Sequence, residues 1–361
     1  IRMVATDGAG SGAAVTDVLD VLGGTGNVGL GSGAFGTGLT TGTDNVAIGE
    51  AAGDALTSGT DNTFVGDNAG GAVTDGNFNT GIGSAALLVS TGGQNTAVGY
   101  QALTANSTAS YNTAIGKDAL LSNTTGDNNV ALGLGALDAN TTADSNTAVG
   151  NHSLGSNTTG TRNTGIGRAS VFTNTTGNDN TGLGYYALVS ATTASNNTAV
   201  GSSAMENNTT GASVTAVGKS ALKQNTTGDS LTALGKGALE ANTTASNNTA
   251  IGASALESNT TGSENTALGK SALLSNTTGT ENVSLGLNSL DANTTGSYNV
   301  AVGTSALGAN TTASNNTAIG TNALVANTTA DQNTAVGTSA LNANTTGANN
   351  TAIGMNALLA N

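Results

Sequence analysis

The sequence contains no cysteine, no proline and no tryptophan, and aromatic residues make up only 2% of its 361 residues. Without cysteine, the chain has no disulfide framework, no thiolate metal site and no redox-active thiol. Charged residues make up 8% of the chain, whereas about 25% is usual in globular proteins. No signal peptide is recognisable, and no apolar run approaches the roughly 18–20 residues that cross a bilayer. We therefore expect no membrane insertion.

A 17-residue unit recurs without a gap from residue 95 to the end of the sequence, and the copy at 112–128 reads NTAIGKDALLSNTTGDN. Looser copies begin at residues 27, 45, 62 and 79. A fixed period of this kind is typical of solenoids, in which each repeat forms one coil. We therefore divide the sequence into an N-terminal cap or junction segment (1–26), degenerate glycine-rich coils (27–94) and regular β-roll repeats (95–361).

The segment before the first repeat has a helical pattern of its own. Val15, Val18, Leu19 and Leu22 have the spacing of one helix face. We expect a short helix or strand that covers the end of the solenoid. A junction to a neighbouring domain or subunit is the alternative.

The first five residues of the repeat predict a short strand followed by a bend. Position 1 is usually Asn, as in Asn112, position 3 is usually Ala, and position 4 is always Val, Ile or Leu. Because β-branched residues favour strands, we expect the side chain at position 4, as in Ile115 and Ile251, to point into the coil. Position 5 is always Gly, as in Gly116 and Gly252. It predicts a bend or a site too narrow for a Cβ atom.

The rest of the repeat predicts a second strand and the turns. Positions 8 and 9 are usually Ala-Leu, as at Leu120 and Leu256, and form a second apolar anchor. Positions 12–15 read Asn-Thr-Thr-Gly or Asn-Thr-Thr-Ala in most copies, with Asn123 and Gly126 in one of them, and are typical of turns. Each repeat thus predicts two short strands and two turns. Stacked coils pair each strand with its copies, which gives an all-β parallel β-solenoid with 17-residue coils.

The asparagines at position 1 are expected to stack as an amide ladder along the coils. Val214 and Leu231 replace two of them and would interrupt the ladder without changing the period. Positions 6, 7, 10, 11, 16 and 17 vary most and are expected to face solvent.

Two large apolar side chains per coil are few for 17 ordered residues. Burial of a Val or Leu side chain contributes roughly 1.5–3 kcal/mol, and ordering one residue costs about 1–2 kcal/mol of backbone entropy. The burial of two side chains does not offset the entropy cost of 17 residues, and a second buried surface would supply the missing stabilisation. We therefore expect a fibrous homotrimer, in which one anchor fills the coil and the leucine at position 9 faces the neighbouring subunits around a shared axis.

The string NTAIGxxAL, repeated with Asn/Gly turns between copies, resembles the NSVAIGxxA repeats of trimeric autotransporter adhesin heads. It is also similar to the shafts of phage tail fibres and related bacterial surface proteins. The resemblance covers residues 27–361. It implies a parallel β-roll with three chains per stalk, located outside the cell, on the cell surface or on a virion tail. The repeat of this chain is longer than the adhesin repeat by an added NTT-type turn.

These observations favour a non-enzymatic structural role. The leading hypothesis is a fibre shaft or adhesive stalk, most simply a segment of a phage tail fibre or a similar surface fibre. The first alternative is a bacterial trimeric adhesin head that binds host or matrix ligands. A self-assembling extracellular filament and a monomeric solenoid that binds ice or polysaccharide are two more hypotheses. The expected partners are further copies of the chain and a cell-surface glycan or protein receptor, with five tyrosines as candidate surface contacts: Tyr100, Tyr111, Tyr185, Tyr186 and Tyr298.

No catalytic constellation is apparent in the sequence. His152 is the only histidine, so one chain cannot form a multi-histidine metal site. Its position is variable among the repeats, which predicts exposure to solvent. The net charge of −14 makes nucleic acid and anionic membranes poor partners. We therefore expect no enzyme activity, no cofactor and no nucleic-acid binding.

The sequence also contains residues typical of calcium sites and of glycosylation sites. Four aspartates in the degenerate coils could hold a calcium ion, but solvated turn aspartates are the simpler interpretation. The Asn-Thr-Thr turns at Asn123, Asn157 and Asn259 match the N-glycosylation sequence, and we interpret them as plain turns, with O-linked sugars on threonine left open. The four aspartates are Asp44, Asp54, Asp61 and Asp67.

Overall fold

The structure, a computed structural model, describes residues 26–359. Three-residue strands joined by turns make up this range, and no helix occurs within it. The helix or strand expected at residues 15–22 lies outside the described residues. The chain divides into two compact units, Ile1–Thr176 and Gly177–Asn361. Both are parallel β-solenoids of 17-residue coils, as the sequence predicted.

In the N-terminal unit, each strand pairs in parallel with the next strand of the chain, and equivalent residues stay in register. The register holds where the repeat length changes, because Val28 still pairs with Val46 and Thr80 with Thr96. The extra or missing residue is therefore absorbed in the turns. The strands are β1 (Val28–Leu30), β2 (Val46–Ile48), β3 (Thr63–Val65), β4 (Thr80–Ile82), β5 (Thr96–Val98), β6 (Thr113–Ile115), β7 (Val130–Leu132), β8 (Thr147–Val149) and β9 (Thr164–Ile166).

In the C-terminal unit, the strands pair in the same parallel, in-register manner. Identical repeat length throughout this unit places each strand directly beside its copies. The strands are β10 (Thr181–Leu183), β11 (Thr198–Val200), β12 (Thr215–Val217), β13 (Thr232–Leu234), β14 (Thr249–Ile251), β15 (Thr266–Leu268), β16 (Val283–Leu285), β17 (Val300–Val302), β18 (Thr317–Ile319), β19 (Thr334–Val336) and β20 (Thr351–Ile353).

Each coil contains one strand, and the prediction of a second strand at Ala-Leu was wrong. Asp118 and Leu120 have φ angles of 58° and 50°, in the left-handed region that strands do not use. Bonds between coils nevertheless continue through this turn. The N–H of Asp118 donates to the carbonyl of Tyr100 at 3.0 Å, and the N–H of Leu120 donates to the carbonyl of Ala136 at 3.0 Å.

The core of the coil is formed by the alanine at position 3 and the leucine at position 9. Ala114 and Leu120 are completely buried, whereas Ile115 is 37% exposed. The prediction that the aliphatic residue at position 4 points inward was therefore wrong. Successive side chains of a strand point to opposite faces. Because the alanine faces inward, the threonine and the isoleucine on either side of it face outward.

The glycine at position 5 behaves as predicted. Gly116 has a φ of 131°, and a Cβ atom on it would lie 2.6 Å from the carbonyl oxygen of Gly133 in the next coil. Both the backbone conformation and the close approach of neighbouring coils therefore exclude larger residues here.

The degenerate coils keep their core filled by exchanging large and small residues. Phe64 replaces the usual alanine at position 3 and is completely buried. A Cβ atom on Gly70, which replaces the leucine of the same coil, would lie 2.5 Å from the Phe64 ring. The space that leucine occupies elsewhere is thus taken by the phenylalanine.

Candidate interaction face and the polar ladders

The asparagines at position 1 form the predicted ladder inside the solenoid. Asn112 is completely buried. Its Oδ1 accepts the backbone N–H of Asn129 at 2.9 Å, and its own backbone N–H donates to Oδ1 of Asn95 at 3.0 Å. Its Nδ2 donates to the carbonyl of Gly126 at 2.9 Å. The side chain therefore bonds both to its neighbouring coils and across its own coil, which compensates for its burial.

A second ladder, which the sequence did not predict, runs through the asparagines at position 12. Nδ2 of Asn123 donates to Oδ1 of Asn106 at 3.2 Å and to the carbonyl of Gly126 at 3.0 Å. Nδ2 of Asn140 continues the row to Oδ1 of Asn123 at 2.8 Å. The carbonyl of Gly126 thus accepts from both ladders. The asparagine that recurs in nearly every copy of this turn could have predicted the ladder. The preference of asparagine for turns explained its recurrence equally well.

The asparagines of the N-glycosylation sequences belong to the position-12 ladder. Asn123, Asn157 and Asn259 are completely buried, and their Nδ2 atoms donate to neighbouring groups. A glycan on such a nitrogen would have to lie inside the solenoid. In the folded chain these asparagines are structural turn residues.

A third ladder lies at position 16, which was expected to face solvent. The N–H of Ser110 donates to Oδ1 of Asp127 at 2.7 Å, and the N–H of Asp127 donates to Oδ1 of Asp144 at 2.7 Å. The residue types at position 16 could have indicated this ladder. From residue 93 onward this position carries only Ser, Asp, Thr, Asn, Ala or Gly, and the first four place an oxygen close to the backbone.

Positions 2 and 4 of the strands form what we call the outer sheet face. Position 2 is always Thr or Val and position 4 is always Val, Ile or Leu, so the face carries no charge in any coil. Many of its aliphatic side chains are exposed, although position 4 is occupied without exception by residues that favour burial. The exposed side chains at position 4 include Leu30, Ile48, Ile82, Ile115, Leu132 and Ile166 in the N-terminal unit, and Leu183, Leu234, Leu268, Leu285, Ile319 and Ile353 in the C-terminal unit.

The threonines of the outer sheet face differ from those of the turns. The Oγ1 of Thr124, at position 13, donates to the carbonyl of Thr141 at 2.9 Å. The Oγ1 of Thr113, at position 2, has no hydrogen-bond partner within residues 26–359. Position 2 therefore presents hydroxyl groups that are available to a binding partner or to water.

The five candidate tyrosines do not form one site. Tyr100 and Tyr185 occupy position 6, Tyr186 position 7, and Tyr111 and Tyr298 position 17. Three of the rings contact neighbouring side chains of their own unit: the ammonium of Lys117 lies 5.6 Å from the Tyr100 ring centre, and the Tyr185 and Tyr186 rings are 4.2 Å apart.

Tyr111 and Tyr298 contact polar residues of the preceding coil. The Tyr111 hydroxyl accepts a hydrogen bond from Nε2 of Gln94 at 3.4 Å. A hydrogen bond with Glu281 raises the pKa of Tyr298. Tyr111 and Tyr298 thus each contact a residue that precedes them in their own row of side chains.

Within residues 26–359, the titratable side chains form no metal centre. His152 is exposed, as predicted, and its ring lies edge-on to Phe172, with 6.2 Å between ring centres. Among residues 26–359, no group of three or more His, Asp or Glu side chains is placed to hold a metal ion. The same part of the chain contains no helix long and apolar enough to cross a membrane.

Two aspartates at position 10 have altered acidity. Partial burial raises the pKa of Asp138, and this is opposed by the charge of His152 and by hydrogen bonds to the backbone. Partial burial also raises the pKa of Asp291, against hydrogen bonds from its own and the following backbone N–H groups.

No protein-family model matches the sequence, and comparison with the curated proteins found no match.

Proposed function

We propose that this chain is the shaft or stalk of an extracellular fibre and that it assembles as a parallel homotrimer through the outer sheet face. The observation that carries the proposal is the uncharged row of exposed aliphatic side chains at position 4. Water contact with these side chains is unfavourable, and packing them against a partner removes it. This reverses the expected roles of the two anchors, because the leucine at position 9 fills the coil and the aliphatic residue at position 4 meets the neighbouring subunit.

The size of the face supports an assembly. A three-residue strand is about 10 Å long and neighbouring strands are about 4.8 Å apart, so each coil presents roughly 50 Å². The nine strands of the N-terminal unit present roughly 450 Å² and the eleven of the C-terminal unit roughly 550 Å². Stable interfaces bury about 800 Å² per partner. Each unit therefore supplies more than half of the area that a stable interface buries on one partner.

The distribution of charge favours copies of the same chain as the partner. Copies with a net charge of −14 repel one another over most of their surfaces. The outer sheet face is free of charge in every coil, so copies that meet there do not bring like charges together. Around a common axis, equivalent coils of three parallel copies meet at the same height, and rows with the same spacing are matched along their whole length.

In this role the chain acts mechanically. Backbone bonds between coils and the buried polar ladders resist local opening, and a surface with few charges has few specific contacts of its own. A shaft that projects a tip, as in a phage tail fibre or a bacterial surface fibre, uses these properties. An adhesin head that binds host or matrix ligands through the variable positions is the related alternative.

The test is the solution mass measured by light scattering coupled to size exclusion. We expect three times the chain mass of 34.4 kDa. The double variant Ile115→Lys/Leu268→Lys, which places a charge on the outer sheet face of each unit, is expected to be monomeric. The matched control Thr125→Lys/Thr278→Lys changes exposed turn residues instead and should remain trimeric. A wild-type mass of one chain would overturn the proposal.

The free hydroxyl groups of the outer sheet face favour one second candidate. Rows of unbonded threonine hydroxyls, such as that of Thr113, lie beside rows of aliphatic side chains on a regular sheet. Such a face also suits an ordered surface, ice or a crystalline polysaccharide, bound by a monomer. Thermal hysteresis, or retention on an insoluble polysaccharide, together with the mass of a single chain would support this candidate over the fibre.

A further inference from the structure

A trimer of nearly identical coils has an ambiguous register. If one copy moves by one coil along the axis, Thr and Val still meet Thr and Val at position 2, and aliphatic residues still meet at position 4. Most contacts are then nearly unchanged, and a weakly specified register permits slippage. A uniform shaft therefore needs coils that differ from their neighbours on the exposed side.

Two coils differ in this way, one in each unit. They are residues 129–145 and 282–298, which we call the aliphatic coils. They alone carry aliphatic residues at positions 2, 4 and 6 together. In the first coil, Val130, Leu132 and Leu134 are 38%, 45% and 41% exposed, and the equivalent residues of the second, Val283, Leu285 and Leu287, are 41%, 40% and 46% exposed.

The coils before the aliphatic coils also match each other. Position 6 is Lys117 before the first aliphatic coil and Lys270 before the second. The Lys117 side chain is 57% exposed. On the other side, position 6 is Asn151 after the first aliphatic coil and Thr304 after the second. Each aliphatic coil is thus placed between a coil with a cation and a coil with a polar residue at the same position.

We propose that the two aliphatic coils set the axial register of the three copies. This inference rests on the trimer of the proposed function and adds position 6, which follows the outer sheet face in the chain, to the contacts that align the copies. In register, Leu134 of each copy lies at the height of Leu134 of its neighbours. After a shift of one coil, Leu134 lies at the height of either Lys117 or Asn151 of a neighbouring copy.

A shifted assembly is less stable for two physical reasons. The leucines lose apolar partners and remain in contact with water. The lysine ammonium or the asparagine amide is brought against an apolar surface and loses part of its hydration. Each unit contains one aliphatic coil, so the register of each unit is specified by a coil of its own. Mismatched polar and apolar groups specify partners in the same way at other repetitive interfaces.

The test moves one aliphatic coil by one repeat and leaves the composition unchanged. In this shifted variant, positions 4 and 6 are exchanged between coils 282–298 and 299–315, and position 2 is Val in both coils already. The substitutions are Leu285→Val, Leu287→Thr, Val302→Leu and Thr304→Leu. The control variant exchanges position 4 between two coils outside the aliphatic coils, with Val302→Ile and Ile319→Val.

The full-length wild-type chain and each variant are co-expressed with different affinity tags, and native mass spectrometry counts the mixed trimers. With the control variant we expect random mixing, in which about three quarters of the trimers are mixed. With the shifted variant we expect the mixed fraction to fall several-fold, because its C-terminal aliphatic coil lies one repeat away from that of the wild type when the other coils of this unit are aligned. The shifted variant expressed alone should still form trimers, since its own three copies match.

The possible outcomes separate the inference from the proposed function. Random mixing of the shifted variant with the wild type would overturn the register inference and leave the trimer in place. Monomers in every sample would overturn the proposed function and the inference with it. If the shifted variant does not fold alone, a second variant exchanges positions 2, 4 and 6 between coils 129–145 and 146–162 of the N-terminal unit. Its substitutions are Val130→Thr, Leu132→Val, Leu134→Asn, Thr147→Val, Val149→Leu and Asn151→Leu. Random mixing of this second variant would equally overturn the inference.

Discussion

Ala114 and Ile115 are neighbours on one strand, and the smaller side chain is the one that is buried. Ala114 is completely inaccessible, while Ile115 is 37% exposed. Leu120 supplies the large buried side chain of the same coil, so position 3 contributes only a methyl group to the interior. This arrangement leaves the larger aliphatic side chain available for contacts outside the coil, and it determines which substitutions should affect folding and which should affect assembly.

Enlarging position 3 should damage the coil, whereas changing position 4 should not. Ala114→Leu inserts three carbons into a filled interior, and overpacking of this kind typically costs about 1–3 kcal/mol. Ile115→Ser removes an exposed side chain and should leave the folding of the single chain nearly unchanged. Thermal unfolding followed by circular dichroism at low protein concentration measures both. Equal losses for the two variants would contradict the assigned orientations.

The loss of stability on replacing a ladder asparagine should depend on the charge of the new residue. In Asn112→Asp, a buried carboxylate replaces Nδ2, the atom that donates to the carbonyl of Gly126. A buried charge without a partner is costly, so we expect a loss of about 3 kcal/mol or more. Asn112→Leu should cost less, because Leu231 occupies the same position in another coil and is buried there. The melting temperatures of the two variants check this order, and a less stable leucine variant would refute it.

Substitution by alanine should reduce the stability of the protein at one glycine of the coil and not at the other. Gly116→Ala requires a Cβ atom 2.6 Å from the Gly133 carbonyl and a φ of 131°, so we expect a loss of about 2 kcal/mol or more. Gly126→Ala should be nearly neutral. Although a Cβ atom there would also lie close to a carbonyl of the next coil, Ala143 and Ala245 occupy the same position in other coils. Denaturation midpoints of the two variants provide the comparison.

The aspartate of the second aliphatic coil should make stability depend on pH. Burial raises the pKa of Asp291 above its ordinary value of 3.8, so ionisation costs more in the folded chain than in the unfolded chain. This cost is absent below the ordinary pKa, grows as the pH rises through the folded pKa, and persists at neutral pH. Asp291→Asn should therefore raise the melting temperature at pH ~7 and give no gain at pH ~3. An equal gain at both values would show that ionisation is not the cause.

Much of this architecture could be predicted from the sequence because every coil contributes the same information. The period at positions 1 to 5, from Asn112 to Gly116, specified a strand and a bend, and the coils stack with this period. The amide ladder at position 1 also followed, since an asparagine in nearly every copy of one position can bond to the copies above and below it. The trimer and the fibre were expectations from the same repeats and stay proposals.

The remaining features depended on how the chain closes on itself. Alternation along the strand meant that Ala114 and Ile115 face opposite sides, but only the closed coil decides which side is inside. The segment at Leu120 was expected to be a strand because its Ala-Leu pair formed a second apolar anchor in most repeats. Leucine rarely adopts a left-handed backbone, which costs about 1–2 kcal/mol. In the folded coil, the N–H of Leu120 bonds to the next coil and its side chain fills the core, which offsets that cost.

The sequence by itself thus determined the period, the position of the strand, the glycine bend and the stacking of asparagines, because each is a local preference repeated in every coil. The tertiary structure decided which apolar row is buried, where the second and third polar ladders lie, and that the outer sheet face is aliphatic and uncharged. These features depend on the space enclosed by 17 residues and on contacts between successive coils, which no single repeat contains.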